Sequence, residues 1–125
     1  MVSKEDIEKL FDELLSQISN SNLREKVVKV WLLACERGGW NSIEELKKIP
    51  FTLLIDSKGV DLIEHTIAVT KGALALARAQ KETYSSLPYN INFDHLIAGG
   101  LLHDVGKLLE IEPDGRSGYR KSHSG

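Results

Sequence analysis

The chain has a single cysteine among its 125 residues, Cys35. One thiol cannot close an internal disulfide, and it excludes a zinc site built from several cysteines. Cys35 lies in the apolar run "VWLLACERGG" and reads as a buried structural thiol. Charge of one sign is not in excess either. Sixteen lysines and arginines face 18 aspartates and glutamates, for a net charge of -2. No global basic field therefore points to nucleic acid or to an acidic membrane surface. No apolar stretch is long enough to span a bilayer. The N-terminal run "MVSKEDIEKLFDELL" is charged and amphipathic and lacks the continuous apolar core of a signal peptide, so the chain is read as cytoplasmic. Internal repeats, low-complexity segments and convincing strand alternation are all missing.

What is present is ordinary globular composition, 42% apolar and 27% charged, at a length that supports one domain with a real core. The apolar spacing is helical throughout, so the class is all-α. Ser3 is the expected N-cap of a first helix whose stripe is Ile7, Leu10, Phe11, Leu14, Leu15 and Ile18. After "SNSN" a second helix is expected over 23–37, stopped by Gly38 and Gly39. Ser42 and Glu45 have capping-box spacing for a short third helix that Pro50 ends. "FTLLIDSKG" is ambiguous, an extended piece or a turn. A long helix is expected over 60–81, with Ala68, Gly72, Ala75 and Ala79 as a small-residue stripe that lets another helix approach. Past the loop "YSSLPYN", Asn92 or Asp94 opens a helix expected to reach Leu109. "EPDGRSGYRKSHSG" reads as a polar, glycine-rich tail.

That last helix carries "LLHDVGKLL". His103, Asp104 and Lys107 fall on roughly one face, which makes sense only if something polar sits opposite. Gly99 and Gly100 stand one i,i+4 step before His103 and Asp104. Each costs about 1 kcal/mol against alanine in a helix interior, so close backbone approach or space beside the polar pair is expected. His65 sits on the long helix. If the two helices pack together, its imidazole meets that of His103. Two imidazoles and a carboxylate suit iron, manganese, cobalt or zinc. A divalent ion there acidifies water and polarises a phosphoryl oxygen, and Lys107 meets the phosphate charge. Those are the parts needed to hydrolyse a phosphate ester.

"IEHTIAV" followed by "DHLIAGGLLHDVGK" resembles the HD-domain superfamily of metal-dependent phosphohydrolases. The resemblance covers about residues 60 to 125. It implies an HD-domain-like helical bundle, with 60–125 a partial HD-type domain and 1–59 an added N-terminal helical subdomain packed with it as one unit. Matched residue by residue, His65 takes the family's first histidine, His103 and Asp104 its His-Asp pair, and Gly106 and Lys107 the positions that follow. His123 resembles an additional histidine that some members place after the pair. The resemblance thus implies His65, His103, Asp104 and His123 as metal ligands and Asp104 and Lys107 as catalytic. The metal would be iron, manganese, cobalt, zinc, nickel or magnesium. The substrate would be a phosphorylated small molecule or nucleotide, cleaved as a phosphomonoester or phosphodiester. The family's further downstream aspartate is not matched, since Asp114 in the "EPDG" turn is too near the motif. The chain is therefore expected to be the N-terminal part of a longer HD protein, truncated at the C-terminus, weak or inactive alone and able to self-associate.

Plainer readings stand beside these. His103 with Asp104 is also a helix-end hydrogen-bonded pair, His65 a core histidine, Lys107 a cation in the last turn of a helix, and His123 a tail residue. His95, two turns before His103 and rotated by about 80°, reads as structural or exposed. Asp61 would either orient His65 or favour the helix start. Arg116, Arg120 and Lys121 would touch phosphate or form a solvated loop. The alternative to an enzyme is a non-catalytic HD-like module, regulatory or nucleic-acid-associated, in a larger protein.

Overall fold

The computed structural model describes residues 1–122. Helix takes 57% of them and strand 7%, so the all-α expectation holds. The order is α1 (Lys4–Leu10), α2 (Asp12–Leu15), α3 (Ser21–Gly38), α4 (Ile43–Leu46), α5 (Leu62–Thr83), α6 (Phe93–Leu102), α7 (Lys107–Glu110), β1 (Ile111–Pro113) and β2 (Tyr119–Lys121). None of these helices is long and apolar enough to cross a membrane.

Local chemistry sets most boundaries. Ser3 caps α1 in a full capping box with Asp6. The expected first helix is broken at Phe11 (φ -114°, ψ 19°), yet Ile7, Phe11, Leu14, Leu15 and Ile18 all remain buried. Gly39 ends α3 in the left-handed conformation (φ 78°). The Ser42 hydroxyl accepts from the Glu45 amide, and α4 is one turn long. Residues 51–60 form the loop that the sequence left open, closed at its base by a bridge between Pro50 and Asp61.

One apolar core joins both ends of the chain. Ile7, Phe11, Trp31, Leu46, Ile49, Leu62, Leu101 and Leu108 all belong to it. Two tryptophans tie the N-terminal helices to the later ones through the backbone. The Trp31 indole donates to the Leu101 carbonyl at 2.9 Å, and the Trp40 indole donates to the Leu108 carbonyl at 2.8 Å. Both acceptors lie near helix ends, where carbonyls lack intrahelical partners. Asp94 adds a third tie. Its carboxylate accepts from the Ser19 amide (2.8 Å), the Ser19 hydroxyl (2.8 Å) and the Asn20 amide (3.0 Å).

Three expectations need correction. The stripe Ala68, Gly72, Ala75 and Ala79 faces solvent. The buried face of α5 is Leu62, Ile63, Thr66, Thr70, Leu74 and Ala77, because its larger side chains have more apolar area to remove from water. The helix expected to reach Leu109 ends at Leu102. Tighter i→i+3 bonds replace it: Val105 N to Leu102 O (3.2 Å) and Lys107 N to Asp104 O (3.0 Å). The tail is also structured. Within 111–121 it forms an antiparallel hairpin pairing Ile111 with Lys121 and Pro113 with Tyr119. Asp114 builds its turn by accepting from the Arg116 amide at 2.8 Å and the Gly118 amide at 3.1 Å, with Gly115 at φ 81°.

Candidate metal centre

Helices α5 and α6 pack against each other more extensively than any other pair. They run antiparallel. At one end the Lys81 ammonium lies 5.3 Å from the Phe93 ring centre, and at the other the rings of His65 and His103 are 5.6 Å apart. The glycines beside the motif differ in what they do. A side chain on Gly100 would stand 2.5 Å from Thr70 Oγ1 and 2.9 Å from its Cβ, so glycine is what lets α6 close on α5. Gly99 faces open space.

The first turn of α5 supplies His65, and Asp61 caps that helix by accepting from the Glu64 amide at 2.8 Å. Asp61 therefore serves the helix start. It also holds the Glu64 carboxyl above its ordinary value, first by a side-chain hydrogen bond and then by its charge. The turn after α6 supplies His103 and Asp104. Asp104 Oδ2 stands 3.2 Å from His65 Nε2 and 3.0 Å from His103 Nε2. One donor atom from each of the three residues lies within 4.8 Å of the others. All three side chains are partly open to solvent, so an ion or a substrate has access.

The hydrogen-bond count at His103 shows what the cluster suits. Its Nδ1 is 2.6 Å from the Gly100 carbonyl, an acceptor only, so this nitrogen donates. Its Nε2 faces a second acceptor, the Asp104 carboxylate. A neutral imidazole donates from one nitrogen alone, which leaves the Nε2 lone pair opposed to a carboxylate. A proton on Nε2 or a metal ion between them reconciles the two, and a backbone carbonyl on the far nitrogen is the usual orienting partner of a ligating histidine. The two His–Asp104 separations, 3.2 and 3.0 Å, are of the order expected for neighbouring ligands about 2.1 Å from one ion. The donor set therefore fits a divalent metal.

The other described candidates make contacts of their own. Lys107 is on α7, its ammonium 3.6 Å from Glu110 Oε2. His95 is exposed on the first turn of α6, where its amide donates to Asn92. Arg120 pairs with Glu112 across the hairpin at 2.9 Å. His123 lies outside the described residues. Sequence reasoning missed Phe51, whose ring stacks on His65 with centres 4.5 Å apart and planes 19° from parallel. Nothing in a nine-residue ambiguous loop marks which of its apolar residues meets a histidine.

Part of a known enzyme matches the chain. A dihydroneopterin 2',3'-cyclic phosphate phosphodiesterase from Methanocaldococcus jannaschii is 52% identical over 46 residues, which is 37% of this chain and 17% of that protein. The chain is similar, over that stretch, to a phosphodiesterase. It spans only that small share of the phosphodiesterase's length. No protein-family model matches the chain. No solved structure matches it either.

Proposed function

We propose that this chain carries the metal-binding part of a hydrolase that cleaves a phosphomonoester or phosphodiester of a small molecule, with an HD-type site. The convergence of His65, His103 and Asp104 is the observation that carries the reading. The likeness to part of a phosphodiesterase supports a phosphate ester as the bond attacked. A phosphorylated small molecule such as a nucleotide is then the partner. Two nitrogen donors favour iron, manganese, cobalt, nickel or zinc over magnesium, which prefers oxygen. When bound, such an ion supplies Lewis acidity toward water and toward a phosphoryl oxygen.

The chain's own residues supply the rest. Asp104 brings negative charge between the two imidazoles, its Oδ2 close to both Nε2 atoms. The Gly100 carbonyl fixes the His103 tautomer with Nε2 turned to the site. Lys107, three residues after Asp104, is the candidate phosphate contact, and its surface pairing with Glu110 is weak enough to give up. His123 is the candidate further ligand.

Metal analysis of purified variants tests this. His103→Ala should lose bound metal, and His95→Ala should keep it. Any hydrolysis of bis(p-nitrophenyl) phosphate by the wild type, expected to be weak for this part of the enzyme, should depend on added metal. A wild type that binds no divalent ion, or equal metal loss in both variants, would end the reading.

A further inference from the structure

We propose that Phe51 is a positioning residue for His65, holding the imidazole in the plane from which Nε2 reaches the shared site. The inference rests on the metal-site reading above and adds a residue to it. Packing and hydrogen bonding decide the orientation of a histidine ring, because the torsion that turns it has broad wells. One face of His65 is covered by Phe51, with centres 4.5 Å apart and planes at 19°. The His103 ring crosses on another side, 5.6 Å away and tilted by 49°. Turning the imidazole away from Asp104 would drive its edge into the Phe51 face.

Phe51 is itself well placed for this. It follows Pro50, which bridges to Asp61, and the Leu62 amide donates to the Ile49 carbonyl at 2.7 Å. These contacts fix the loop base against the first turn of α5, from which His65 projects. Beyond Phe51 the loop opens, and Leu53, Leu54 and Ile55 are exposed. Phe51 is half-buried and belongs neither to the apolar core nor to the partly buried residues packed on it. Its aromatic face is therefore directed at the histidine rather than at core stability. A ring that donates to a cation becomes electron-poor, which strengthens its attraction to the Phe51 face.

The test measures manganese and cobalt affinity by calorimetry for wild type, Phe51→Ala, Phe51→Leu and Phe51→Tyr, with melting temperatures and the His65 ring-proton resonances. Losing an orienting partner of a metal ligand weakens affinity by about 10- to 100-fold. Phe51→Ala should show a loss in that range with a nearly unchanged melting temperature, and its His65 ring protons should move downfield as the ring current disappears. Phe51→Tyr should restore affinity and Phe51→Leu should not. Wild-type affinity in Phe51→Ala overturns the positioning role and leaves the metal site standing. Full affinity in Phe51→Leu overturns the role of the flat ring. A wild type that binds neither metal removes the site reading and this inference with it.

Discussion

Alanine at Gly99 and at Gly100 is the same chemical change one residue apart on one helix, and the two should shift stability in opposite directions. Removing a helix-interior glycine gains about 1 kcal/mol in either place. At Gly99 the new methyl meets nothing within 4 Å, so the gain should survive as roughly 0.5–1 kcal/mol. At Gly100 it would fall 2.5 Å from Thr70 Oγ1, 2.8 Å from Cγ2 and 2.9 Å from Cβ. Thr70 is fully buried and its hydroxyl donates to the Thr66 carbonyl at 2.7 Å, so it cannot swing away without breaking that bond. Overpacking of this kind costs about 1–3 kcal/mol, which leaves Gly100→Ala destabilised by up to about 2 kcal/mol after the helix gain. The two variants should then differ by about 1–3 kcal/mol in urea unfolding, or several degrees in melting temperature. Gly100→Ala also displaces the carbonyl that accepts from His103 Nδ1, so its metal affinity should fall while that of Gly99→Ala holds. Adding Thr70→Ala removes the two closest atoms and should recover part of the loss. Equal shifts of the same sign at both glycines would refute the close-approach argument.

Two further outcomes follow from groups away from the site. Burial raises the Cys35 thiol to about 11, so at pH 8 only about one molecule in a thousand carries the thiolate; iodoacetamide should label it in urea and not in the native protein, and rapid native labelling would contradict its burial. The Asp94 carboxyl is held below its ordinary value, first by the Ser19 amide and then by the Ser19 hydroxyl. A lowered folded-state pKa gives stability that is present above the unfolded value and lost as pH falls through the folded one. Asp94→Asn should therefore melt below wild type at pH 7, with the gap closing below about pH 4; a gap independent of pH would refute the carboxylate's role.

Periodicity made the helices legible, because burial of one face leaves a 3.6-residue signature whatever the partner is. Ser3, Ser42 and Gly39 were legible for a similar reason, since capping depends on a few neighbouring residues. The choice of packing face on α5 was not. Small residues and large ones both form stripes on that helix, and only the tertiary arrangement shows that Leu62 and Leu74 turn inward while Ala68 and Ala75 turn outward. The hairpin escaped notice because three-residue strands carry too short a pattern to alternate visibly. The meeting of His65 with His103 is legible only through the family resemblance and the small residues around both, as the residues between them record no distance. Phe51 and the carbonyl of Gly100 act through position alone, and a backbone carbonyl has no letter in the sequence.

The paired indole contacts make the protein its own optical instrument. Trp31 and Trp40 are its two tryptophans, so all indole emission comes from them. One holds the carbonyl of Leu101 and the other that of Leu108, on either side of the His103–Lys107 turn. Any event that shifts that turn changes the polarity and hydrogen bonding of an indole on at least one flank. Replacing either tryptophan with phenylalanine leaves a single emitter, so movement before and after the turn can be followed separately, without an attached dye.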